Sequence, residues 1–138
     1  MRSKRIRNTG KAEKGQNLVE FALVVPILLL LVFGIAEFGR AWMTRNILTG
    51  AVREAVRVAV VPGPGNTWNG PAAEARGNQI LASAGIPATV SVPDPGVAFG
   101  TVTATVTYNF PVIIIGFIPG LNSSTLPLTS TTTMRREF

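Results

Sequence analysis

The chain has 138 residues, 46% of them hydrophobic, and a mean hydropathy of +0.34, which allows one modest domain beside an apolar segment and is too apolar for a disordered chain. It has no cysteine and no histidine, which excludes disulfide scaffolds, thiol nucleophiles, Cys or His metal sites and triads built on imidazole. The net charge of +6 sits mostly in residues 1–15, where Arg2, Lys4, Arg5, Arg7, Lys11 and Lys14 face only Glu13; the rest of the chain sets seven arginines against six acids. So nearly neutral a body lacks the electrostatic attraction that nucleic-acid binding needs, and no nucleic-acid partner is expected.

After the basic leader, residues 15–38 read GQNLVEFALVVPILLLLVFGIAEF, with no charged side chain between Phe21 and Ala36. At ~1.5 Å per residue this uncharged run covers roughly 24 Å, and Leu18, Val19, Phe38 and Trp42 extend it towards the ~30 Å of a bilayer core. A soluble amphipathic helix keeps a polar face, and LLLLVF leaves none. Six Lys or Arg precede the span, while Arg40, Arg45, Arg53 and Arg57 follow it. This modest bias places the N-terminus in the cytoplasm and the residues after Phe38 outside it. Pro26 removes one backbone hydrogen bond and is expected to bend the helix.

Gly15 closes the leader, and cleavage after it would make Gln16 the first residue and Glu20 the fifth. A basic leader, a small residue, then an apolar helix with an acid at its fifth position resembles the class III signal of type IV pilins and pseudopilins. The stretch from Glu20 and Phe21 through Pro26 and the FGIAEFGR exit, residues 33–40, to AVREAVR, residues 51–57, is similar to the TadE-like family of tight adherence (Flp-type) pilus assembly proteins. The resemblance implies a prepilin peptidase that cuts at Gly15 and Gln16. It also implies pilins and other pseudopilins of the assembly machinery as partners, and subunit alignment through Glu20 and Phe21 within the membrane. The α-amino group of a neighbouring subunit's Gln16, cationic near neutral pH, would face Glu20. Gln16 stands where many type IV pilins have Phe. The family's major pilin is typically shorter and has no head, which implies a minor role for this chain. Alternatively, Glu20 is only an acid in the first turns of a helix, favoured there by the macrodipole.

Beyond the span, Ile35, Phe38, Trp42, Leu48, Val52, Ala55, Val56 and Ala59 recur at steps of three and four and predict that the transmembrane helix continues as an amphipathic stalk, the whole covering residues 16–61. Glu37 with Arg40, and Glu54 with Arg57, are spaced to pair on its surface. PGPG within a linker at 62–70 ends the helix. Pro71 starts a short helix over 72–84 that packs Ala75, Ile80, Leu81 and Ala84 and is closed by Gly85. Strands follow at 89–92, 97–110 and 126–134. Val102, Ala104, Val106, Tyr108 and Phe110 lie on one face of the second, and Thr101, Thr103, Thr105 and Thr107 on the other. The apolar run VIIIGFI at 112–118 is too short to span a bilayer and is expected beneath the sheet, the alternatives being a connection near the membrane or an interface with another pseudopilin. Arg135 and Arg136 are expected to form a solvated end.

The expected fold is therefore α+β and pilin-like: a long N-terminal transmembrane and amphipathic helix, a short second helix and a small antiparallel three-stranded sheet, with residues 71–138 as an extracytoplasmic head. No phosphate loop, metal-ligand cluster or paired carboxylates occur, so an enzyme, a metal, a cofactor and a small-molecule substrate are not expected. The functional reading is a single-pass minor pseudopilin of the bacterial inner membrane that takes part in pilus assembly. Two alternatives stay open: a secreted domain cut by ordinary signal peptidase after Gly34-Ile35-Ala36, and a single-pass protein that is never cut.

Overall fold

The structure is a computed structural model that describes residues 9–97, 99–113 and 125–136. Its elements are α1 (Thr9–Ala59), a 3-10 turn (Pro64–Asn66), α2 (Gly70–Ser83), β1 (Val90–Ser91), β2 (Thr101–Pro111) and β3 (Thr125–Arg135), which is the α+β arrangement the sequence predicts. The chain divides into one unit ending at Ala36 and a second beginning at Glu37. Residues 1–8 of the basic leader and 114–118 of the apolar run lie outside the described residues.

In the first unit α1 is helical through Gly15 and through Pro26. The large side chains along it, among them Leu18, Phe21, Leu28, Leu31 and Phe33, are exposed. By length and composition the Gly15–Ala59 portion of α1 can cross a membrane, and its most apolar stretch is unburied.

The core lies in the second unit. Leu48, Ala51, Val52, Ala55, Val56 and Ala59 of α1 pack with Ala73 and Leu81 of α2 and with Val90, Val102, Ala104 and Val106 of the sheet. Burial at steps of three and four along α1 meets burial at every second residue along β2, so helix and strand share one apolar layer. Ile35, Phe38 and Trp42, predicted to extend the packing stripe, are exposed instead. The stripe drifts as the 3.6-residue period runs on, and at this end of the unit the line of partial burial passes through Glu37, Ala41 and Thr44.

Helix α2 begins at Gly70, one residue before Pro71, and ends in a Schellman turn. Ile86 N–H donates to Leu81 C=O and Gly85 N–H to Ala82 C=O, each at 3.0 Å. Gly85 takes the left-handed conformation this turn requires, φ 68°. The buried small residues of α2 are Gly70, Ala73 and Gly77; Ala75 and Ala84, expected in the packing face, are exposed. Gly77 is the point of closest approach, because a Cβ there would stand 2.8 Å from Val90 Cγ2 and 3.3 Å from Ala55 Cβ.

The sheet order is β1-β2-β3, both pairs antiparallel, with Val90 opposite Val106 and Val102 opposite Met134. Strand β1 is shorter than its predicted span because α2 takes over its outer hydrogen bonds. Asn78 Oδ1 accepts from Val90 N–H and Glu74 Oε1 from Val92 N–H, both at 2.8 Å. These side chains close an edge that would otherwise be open to further pairing. Asn78→Ala and Glu74→Ala should each cost about 1–2 kcal/mol by leaving a part-buried donor unpaired. Chemical unfolding of the two variants, with faster hydrogen exchange at Val90 and Val92, checks this.

On the other edge, Thr105 and Thr131, and Thr107 and Thr129, face each other across the outer surface at 3.4 and 3.2 Å. The inner face of β3 offers buried Ser130, whose hydroxyl lies 3.1 Å from that of Thr49 on α1. Arg136 is not the solvated end predicted for it. Its side chain is 12% exposed, 3.8 Å from the Asp94 carboxylate, and its guanidinium lies 5.3 Å from the centre of the Trp68 ring. Its backbone N–H donates to Gly100 C=O at 2.8 Å. Of the apolar run expected beneath the sheet, Val112 is half-buried and Ile113 exposed.

Candidate functional site

The residues singled out by sequence occupy different parts of α1. In the first unit Gly15, Gln16, Val19, Glu20 and Leu23 follow one another at helical steps and line one shallow concavity on the helix. Glu20 and Phe21 are exposed, and so is Pro26.

At the start of the second unit the geometry is tighter. Arg40 Nη1 donates to both oxygens of the Glu37 carboxylate, at 2.8 and 2.9 Å, and Glu37 Oε1 also accepts from Ile113 N–H at 3.1 Å. Glu37 therefore ties α1 to the chain leaving β2, a role that its spacing from Arg40 does not reveal. The Arg40 guanidinium also stands 5.0 Å from the centre of the Phe110 ring. Cation–π contact and ion pair together hold the end of β2 to the helix.

Glu54 lies 3.8 Å from Arg57 and 3.6 Å from Arg76 of α2. The arginines are largely exposed, so these pairs contribute only about 0–1 kcal/mol each, and of the two only the Arg76 pair links α2 to α1. Asn69 adds a firmer tie: its side-chain amide donates to Val58 C=O at 3.2 Å, near the end of α1.

Catalytic groupings do not appear among the described residues. A cleft of about 550 Å³ is lined by Asn78, Ala82, Gly85, Ile86, Pro87, Ala88 and Thr89 and has no acid or base. No group of three or more acids that could hold a metal occurs among them either. Local sequence reasoning missed Glu74, Asn78 and Arg136, whose partners are distant in the chain. An isolated Gly inside a helical pattern was the one available sign of the contact at Gly77.

A long apolar helix whose second half packs against a small antiparallel sheet and a short second helix defines an α+β protein. Comparison with protein families sharpens this class: residues 15–57 match the model of the TadE-like protein family. The match takes in Gly15, Gln16, Glu20, Phe21, Pro26, Glu37, Arg40, Glu54 and Arg57, and agrees with the resemblance found in the sequence. No curated protein and no solved structure matches the chain.

Proposed function

We propose that this protein is a membrane-anchored minor pseudopilin that takes part in assembly of a tight adherence, Flp-type pilus. It is held in the bacterial inner membrane by the first half of α1, with residues 1–15 cytoplasmic and the α+β unit outside. The observation that carries this reading is the TadE-like match over residues 15–57, which spans the glycine of the leader boundary, the acid five residues on and the arginine-rich end of the helix. The exposed apolar surface of α1 supports it, since such a surface needs lipid or other helices to cover it.

Prepilin peptidase cuts between Gly15 and Gln16 in this reading. Both residues lie within α1, so cleavage requires local unwinding. A glycine at the cut favours that opening, being about 1 kcal/mol poorer than alanine as a helix former. The freed amine of Gln16 then pairs with Glu20 of a neighbouring pilin or pseudopilin, Phe21 packs beside it, and a bend at Pro26 fits the helix to the bundle.

The N-terminus and intact mass of the protein purified from its native membrane test this directly. The expected terminus is Gln16. A terminus at Glu37 would mean a domain released by signal peptidase, and an uncut leader would leave a plain anchor without the assembly step.

A further inference from the structure

Along the exposed positions of α1 the second unit changes character within two turns. Phe38 and Trp42 are 68% and 55% exposed and their rings stack at 6.2 Å with 25° between planes. Met43 beside them and Ile113, reached through Glu37, are exposed as well. From Arg45 to Ala59 the exposed positions of α1 are Arg45, Asn46, Gly50, Arg53 and Arg57, none of them large and apolar, while Val52 and Val56 are buried in the core. In the sequence the uncharged run ends at Ala36, immediately before this patch.

We propose that the Phe38–Trp42 face seats the second unit in the headgroup layer of a phospholipid membrane, with Arg45 reaching the lipid phosphates. This rests on the reading of α1 as a membrane span. Aromatic rings that expose an apolar body favour the boundary between acyl chains and water, and arginine stems lie along apolar surface while their heads stay wet. An acid at this depth would be repelled by anionic lipid, and the one present is already engaged: Glu37 is bound by Arg40 and by Ile113 N–H.

Charge decides against a second copy of this face as its cover. The exposed cations would meet cations, because Glu37 is held by Arg40, and Glu54 is shared by Arg57 and Arg76. A phospholipid surface, with phosphates above an apolar interior, is complementary to this pattern of aromatic residues followed by arginines.

The chain has no cysteine, so single-cysteine variants carry a polarity-sensitive fluorophore without background. Labels at Phe38→Cys, Trp42→Cys, Arg57→Cys and Leu30→Cys are read in the full chain, with a single chain in each nanodisc of phosphatidylethanolamine and phosphatidylglycerol. Aqueous iodide and a lipid spin-labelled at its headgroup are the quenchers. The expected result is several-fold stronger quenching by the lipid label than by iodide at 38 and 42, the reverse at 57, and protection from iodide at 30. Iodide access at 38 and 42 equal to that at 57, with 30 still protected, would overturn the headgroup seat and leave the membrane span standing. Iodide access at 30 as well would overturn both. Protection at 38 and 42 that appears only when several chains share a disc would assign the face to contacts between copies and also overturn the proposal. Positions 38 and 42 are read separately, so a disturbance from losing one ring does not decide the outcome.

Discussion

Gly77→Leu is expected to unfold the C-terminal unit, whereas Gly77→Ala should leave it folded with a small loss of stability. At this position α2 lies against both α1 and β1: an added Cβ meets Val90 Cγ2 at 2.8 Å, Val90 Cβ at 3.1 Å and Ala55 Cβ at 3.3 Å. Alanine must push Val90 aside, at about 1–3 kcal/mol for overpacking, and recovers about 1 kcal/mol of helix propensity. Leucine adds three more carbons where Ala55 and Val90 are buried and cannot turn to solvent. Its cost should exceed ~3 kcal/mol, a large share of the ~5–15 kcal/mol that holds a domain together. Thermal unfolding of the full chain in nanodiscs, read with hydrogen exchange at Val102, Ala104 and Val106, measures the effect. A Gly77→Leu protein as stable as the parent would mean that the helix does not approach the strand this closely.

The second large effect is on assembly rather than stability. Glu20→Gln should insert into the membrane and lose its leader normally, yet fail to co-purify with other pilins or pseudopilins. Glu20 is exposed on a helix that has no other acid between Gln16 and Ala36. Its pairing with a neighbour's amine is the one charge contact proposed for this segment. Glutamine keeps the shape and removes the charge, and each 1.4 kcal/mol of lost attraction lowers affinity about tenfold. Because a charged group deep in a membrane helix costs roughly 2.5–3.5 kcal/mol on insertion scales, the variant should insert at least as well as the parent. Co-purification from native membranes, with leader cleavage followed by mass, separates the two steps. Wild-type recovery of partners by Glu20→Gln would remove Glu20 from the assembly mechanism, and loss of cleavage would instead place the carboxylate in peptidase recognition.

Much of the fold was legible in local patterns. The uncharged run after the leader, the three- and four-residue steps from Leu48 to Ala59, the PGPG break and the alternation from Val102 to Phe110 each record a period or a backbone restriction carried by neighbouring residues. The candidate site residues Gly15, Gln16, Glu20 and Phe21 come instead from the resemblance to pilin leaders and the TadE-like family, and the family match falls on that stretch.

Packing settled what these periods leave open. Helical steps make Ile35, Phe38 and Trp42 look continuous with Leu48, but a stripe becomes a buried face only as far as a partner covers it, and the buried residues of α1 begin at Leu48. Likewise Ala75 and Ala84 are as small as Ala73 and Gly77; which of them meets another element depends on the rotation of α2 against α1 and β1. The contacts of Glu74, Asn78, Glu37 and Arg136 join groups far apart in the chain. Residue order therefore determined the helix, its breaks, the strand faces and the TadE-like segment, all properties of short range. Burial, edge closure and the exposure of the Phe38–Trp42 pair came only with the assembled unit, because each depends on which surfaces the remaining elements cover.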